Sequence, residues 1–216
     1  MNVEMIRDVL YDRNKTLYNK DAVGRIHVVG VGGIGSWVSI FAAMHGCRDI
    51  HVYDGDDLDL TNLNRLPFSI DDVGDKKTTV VSRFIERVRP KNSCGVVVTE
   101  HDVVSDSNDL KDVRDGDVVV ICVDSAEQNN LIMNSLKEKK NVKIIRGAYN
   151  GDKITVMDGG EQWVIDGEVG GYGSVPSYLA PPTVVSSLIM EKIYRPGSAE
   201  IDINAVPLKN LNGKSE

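Results

Sequence analysis

Cysteine is scarce in this 216-residue chain: only Cys47, Cys94 and Cys122 occur, an odd number with no CxxC spacing. That indicates neither a disulfide framework nor a four-cysteine zinc site, so no zinc is expected and the thiols read as small buried hydrophobes. Long apolar runs are missing as well. No segment reads as a bilayer span, and no membrane partner is expected. The first 14 residues mix Glu4, Arg7, Asp8, Asp12 and Arg13 into their apolar positions. They lack the continuous apolar segment of a secretory signal, which makes the cytoplasm the expected location. Positive charge is in deficit, with 25 Lys and Arg against 32 Asp and Glu and a net charge of −7. Binding to nucleic acid draws on clustered cations, so no nucleic-acid partner is expected, although a local basic pocket is compatible with the balance. Internal repeats, low-complexity tracts and long linkers are absent, and the length suits one domain.

What is present alternates. Short β-branched runs at residues 25–29, 49–53, 95–99, 117–123 and 142–148 are separated by helical patterns, the signature of an α/β fold. It predicts a Rossmann-like, mostly parallel sheet flanked by helices. Residues 33–46 carry Ile34, Trp37, Val38, Phe41 and Ala42 at helical spacing, with Gly46 as the stop. Residues 77–88 repeat the pattern with Val80, Val81, Phe84, Ile85 and Val88 facing inward, and residues 126–140 do so with Leu131, Ile132 and Leu136. Beyond Asn150 the style changes to a C-terminal antiparallel extension. Residues 153–157 and 162–165 flank Asp158-Gly159-Gly160 as a hairpin, and residues 166–174 form a Gly-rich loop. A last helix follows Pro181-Pro182 over residues 183–194, with Val184, Val185, Leu188, Ile189 and Ile193 inward. The expected layout is a single domain over 1–195 with an N-terminal helix at 1–20, a nucleotide-binding core at 25–150 and the hairpin and helix at 151–195. A polar tail, 196–216, is expected to have little order.

Gly30, Gly32 and Gly35 satisfy GxGxxG directly after a strand and at the opening of a helix, with Gly33 between them. Glycine allows the tight turn and lets a phosphate approach bare backbone, while helix N–H groups favour its charge. Asp54 ends the second strand about 20 residues later, where dinucleotide folds set an acid against ribose hydroxyls. An acid in a surface loop looks the same in sequence. To this point a nicotinamide dehydrogenase and an ATP-using enzyme fit equally well.

The following segment separates them. Asp54-Gly55-Asp56 is followed by Asn62-Leu63-Asn64-Arg65, then Gly74-Asp75-Lys76-Lys77, then a strand ending in Asp124. In this order the motifs resemble the E1-like adenylating superfamily, the relatives of ThiF, MoeB and ubiquitin-activating enzymes, over roughly residues 25–157. The resemblance implies ATP and Mg²⁺ as ligands. Asp54 and Asp56 would then hold the nucleotide, Asn62, Arg65 and Lys77 its phosphates, and Asp124 the metal. A helix cap is the plain alternative for Asp124. The resemblance also implies a homodimer in which an N-terminal arginine reaches the partner's ATP, with Arg13 the first choice and Arg7 the second.

Departures from the family pattern narrow the chemistry. No cysteine follows Cys122, so a thioester step is not expected; Leu66 replaces a common glutamine, and Asn129 a common arginine. The implied activity is adenylation alone, of the C-terminal glycine of a small ubiquitin-like carrier protein or of a peptide carboxylate. A noncatalytic nucleotide-binding scaffold of the same family and an NAD-dependent oxidoreductase are the alternatives. The oxidoreductase leaves Asn62, Arg65, Lys77 and Asp124 without roles.

Overall fold

In the computed structural model, which describes residues 2–150, 153–159 and 177–196, the β-branched runs pair into one six-stranded sheet. Its strands are β1 (Arg25–Val29), β2 (Asp49–Tyr53), β3 (Val97–His101), β4 (Val118–Ile121), β5 (Lys143–Asn150) and β6 (Lys153–Asp158). The spatial order is β3-β2-β1-β4-β5-β6. All neighbours are parallel except β5 and β6, which pair antiparallel with Ala148 opposite Thr155. The Rossmann-like architecture with an antiparallel extension is therefore the one the sequence predicts.

Residues 153–157 form the strand expected of them. β6 pairs back onto β5, and residues 162–165, expected as its partner, lie outside the described residues, as do the 166–174 loop and the tail beyond residue 196. β5 runs on to Asn150, which stands opposite Lys153, so two residues separate the strands.

The described residues form six α-helices: α1 (Val3–Leu10), α2 (Gly33–His45), α3 (Lys77–Val88), α4 (Lys91–Cys94), α5 (Ala126–Leu136) and α6 (Ala180–Tyr194). Alternation along the strands splits the core in two. Ile26 and Val28 of β1 join Val38 and Ala42 of α2, Val81 and Ile85 of α3 and Ile189 of α6 on one face. Val29 joins Ile132 and Leu136 of α5 on the other. Gly46, at φ 112°, ends α2 in the left-handed region where glycine is favoured. Both prolines fall within the first turn of α6, where their missing N–H groups cost nothing. Val184, expected inward, is exposed, while Ser186 and Met190 are buried.

α1 is shorter than the helix expected over 1–20. The chain leaves it at Tyr11, whose ring is buried and whose hydroxyl donates to the Ala43 carbonyl at 3.1 Å, pulling the backbone off the helical path. Among the described residues no helix is long and apolar enough to cross a membrane.

Candidate functional site

The strand order reverses between β1 and β4, so the chain departs to opposite sides of this pair and leaves a crevice at its carboxyl ends. The glycine turn closes the crevice. Gly30 takes φ 86°, and a Cβ on it would lie 2.9 Å from the Cys122 carbonyl oxygen, against the end of β4. A Cβ on Gly35 would come within 1.9 Å of the Gly30 carbonyl oxygen, so no side chain fits there. Gly32 caps α2 without a side-chain acceptor, which leaves the first N–H groups of the helix directed at the crevice.

Asp54 follows β2 and knits two loops together. One carboxylate oxygen accepts from the Val31 N–H at 2.8 Å and the other from the Asp56 N–H at 2.9 Å. Lys77, the first residue of α3, reaches the same place. Its Nζ lies 2.6 Å from Asp56 Oδ2 and 3.9 Å from Asp54 Oδ1, and its backbone N–H bonds the Asp56 carbonyl.

Asn62 lies in a short 3-10 turn, Leu60–Asn64, where its side-chain amide oxygen accepts from the Asp59 N–H at 3.2 Å in a reciprocal cap. Arg65 ends that turn. One of its terminal nitrogens donates to the Thr61 carbonyl and the Asn64 side chain, while its Nε is buried with no acceptor. The guanidinium stem runs beside Gly33, where a Cβ would be 3.2 Å from Nε. Trp37, one turn along α2, donates its indole N–H to the Arg65 carbonyl at 2.8 Å and fixes the segment to the helix. Next to it opens a cleft of about 220 Å³ lined by Trp37, Leu63, Arg65, Leu66, Pro67 and Leu179.

Asp124 is exposed beyond β4 and, among the described residues, makes no hydrogen bond or ion pair. Capping of α5 falls instead to Ser125, whose side chain accepts from the Gln128 N–H. The helix-cap alternative for Asp124 is thus taken by its neighbour. Asn129 is buried and donates its amide to the carbonyls of Val123 and Ser125, on either side of Asp124.

The two N-terminal arginines differ sharply. Arg7 is fully buried and donates to the Cys94 and Gly46 carbonyls and to Asp21, so it is a packing residue and cannot reach another protomer. Arg13 is exposed on the turn after α1 and has no polar partner among the described residues. Cys122, at the crevice edge, has its thiol pushed up by desolvation, which removes it as a nucleophile.

Sequence reasoning missed the wall opposite Arg65. Tyr149, near the end of β5, has its hydroxyl 2.6 Å from the Ser177 Oγ, and Asn64 donates to the Ser177 carbonyl at 2.7 Å. The available signal was position, since a residue at the carboxyl end of a strand next to β4 borders the crevice.

The profile of the ThiF family matches residues 10–193. The chain belongs to the ThiF family. Among ThiF-type relatives it is 31% identical over 140 residues to the tRNA threonylcarbamoyladenosine dehydratase of Haemophilus influenzae, spanning 61% of this chain and 52% of that protein. It is 28% identical over 184 residues to ubiquitin-like modifier-activating enzyme 5 of Gallus gallus, spanning 81% and 44% respectively. The chain therefore spans about half the length of these curated relatives. Crystallised Escherichia coli MccB with ATP shares the fold at a TM-score of 0.68 and 22% identity, over 85% of this chain and 63% of that one.

Proposed function

We propose that this ThiF-family chain adenylates a carboxylate, with ATP and Mg²⁺, and does so without a thioester step. The observation that carries the reading is the convergence of Asp54, Asp56, Lys77 and Arg65 on the glycine turn, with Asp124 on the neighbouring strand end. The carboxylate oxygen bonds to the α-phosphorus of ATP and the bond to pyrophosphate breaks, so negative charge must be held at both ends.

Each residue has work suited to its geometry. The α2 N-terminus receives phosphate oxygens. Asp54 spends one acceptor site per oxygen on backbone and keeps lone pairs for ribose hydroxyls. The Lys77–Asp56 pair has its acid 75% exposed, so it is weak enough for Lys77 to exchange Asp56 for phosphate. Arg65, with a planar fork and an unpaired Nε, neutralises the departing phosphates with help from Asn62. Among the described residues no three His, Cys, Asp or Glu side chains group to hold a metal. Mg²⁺ bound with a triphosphate asks for only one or two carboxylates, and Asp124, unpaired and exposed, fits that demand. When bound, the ion supplies charge neutralisation at the phosphates. Arg13, exposed and without a polar partner among the described residues, is the group that crosses to the second copy of a homodimer.

The substrate we favour is the C-terminal glycine of a ubiquitin-like carrier or another peptide carboxylate. A carboxylate on a modified tRNA nucleoside is the second reading, favoured by the 31% identity to the tRNA-modifying relative. A scaffold that binds nucleotide without turnover is the third, favoured by buried Asn129 standing where an arginine was expected.

Thermal unfolding of the wild type and Asp124→Ala with Mg²⁺-ATP, with ATP and chelator, and with NAD⁺ tests the site. Ligand at ~100 times its Kd contributes about 2.7 kcal/mol, a shift of several degrees. Stabilisation by Mg²⁺-ATP that shrinks without metal or without Asp124 supports the reading; stabilisation by NAD⁺ alone overturns it. ATP–pyrophosphate exchange driven by peptide or by tRNA then separates the substrates.

A further inference from the structure

Gly33 is an unforced glycine by backbone criteria, since it is absent from the positive-φ positions that include Gly30. Space explains it. A Cβ there would meet the Tyr149 hydroxyl at 3.0 Å and Arg65 Nε at 3.2 Å, so these two groups converge on one point above the first turn of α2. Around that point stand a helix N-terminus with no side-chain cap, a buried guanidinium N–H with no acceptor, and a phenol. Three kinds of donor face it and no protein acceptor for that N–H does, an arrangement suited to an anion.

We infer that the Tyr149 hydroxyl contacts the α-phosphate oxygens of the nucleotide; this rests on the adenylation reading above and adds a ligand-binding residue to it. The bond to Ser177 does not compete. A phenolic oxygen accepts one hydrogen bond while its proton is donated elsewhere, so Ser177 Oγ–H donates to Tyr149 and Tyr149 donates to phosphate. Ser177 is a positioning residue, itself fixed by the Asn64 amide at its carbonyl. Negative charge on the phosphoryl oxygens builds as the acyl–phosphate bond forms, and a fixed hydrogen-bond donor steadies it there.

The test compares Mg²⁺-ATP, AMP and inorganic pyrophosphate as probes by titration calorimetry on the wild type, Tyr149→Phe and Ser177→Ala. Loss of a hydrogen bond to a charged group weakens binding by about tenfold or more. The expected result is that loss for ATP and AMP in Tyr149→Phe, with pyrophosphate unchanged and a smaller effect in Ser177→Ala. Should Tyr149→Phe fail to fold, Gly33→Ala, which crowds the phenol and Arg65 Nε together, is expected to weaken AMP as well as ATP, and AMP, which lacks the phosphates given to Arg65, reads the phenol alone. Unchanged AMP affinity in folded Tyr149→Phe, or an equal loss in Ser177→Ala that extends to pyrophosphate, overturns the inference alone. Wild type that binds neither ATP nor AMP overturns the adenylation reading and this inference with it.

Discussion

At the scale of single residues, the glycine turn shows how little freedom the site has. Gly35→Ala would force a methyl group to within 1.9 Å of a backbone oxygen, and backbone cannot give way as a side-chain tip can. The expected outcome is a loss of about 3 kcal/mol or failure to fold, read as a lowered urea midpoint. Gly33→Ala meets only side-chain atoms and should fold. Residues of the first kind are legible in sequence because their spacing is local: Gly30 to Gly35, Asp54 to Asp56, Asn62 to Arg65 and Lys77 are set by turns and helix starts. Tyr149, Ser177 and Asn64 were not legible. Their contacts join residues 28 and 113 positions apart, and no local pattern encodes them. Arg7 was misjudged for the same reason, because its partners Asp21, Gly46 and Cys94 are far apart in sequence and brought together only by the fold.

Whole elements carry chemistry that an apolar pattern hides. β1 and β2 read as simple hydrophobic strands, yet on one face they align His27 with His51, beside Tyr53, His101 and Asp117. His27 is fully buried between the Asp117 carboxylate at 3.0 Å and the Tyr53 hydroxyl at 2.9 Å. A carboxylate only accepts, so Nε2 carries the proton and Nδ1 accepts from the phenol. By the same logic His51 donates to Asp49 and accepts from His101. Desolvation, reinforced by the neighbouring His51 and Arg25, pushes the His27 pKa from 6.5 to about 4; desolvation also lowers those of His51 and His101. The unfolded chain therefore binds protons first as pH falls. Stability should be full above about pH 6.5 and decline as pH drops toward 4, with His27 accounting for up to about 3 kcal/mol. Urea titrations at pH 7, 5.5 and 4.5 check this, and His27→Gln, which keeps a donor and an acceptor, should flatten the slope. The C-terminal strands carry a related lesson: strand existence was legible at β5 and β6, but their pairing with each other was not.

For the molecule as a whole, the open question of architecture is whether one copy suffices. Arg13 is exposed on the turn after α1 and has no polar partner among the described residues. If it completes the site of a second copy, Arg13→Ala and Lys77→Ala damage the same site from different chains. Mixing the two weak variants should then regain tight ATP binding at about one quarter of sites, because half the dimers are mixed and each has one intact site. No recovery, with Arg13→Ala alone binding as tightly as wild type, would confine the site to a single chain. The seam between β1 and β4 adds a different property. The glycine turn and Asp54 belong to the half that continues through β2 and β3, Asp124 and Tyr149 to the half that continues through β5 and β6. A nucleotide held by both would act as a rivet across the seam where β1 meets β4, from Ile26 opposite Val118 to Val29 opposite Ile121. Loading the site would then brace, at its open edge, a joint that the shared core of α2, α3 and α6 already closes on one face.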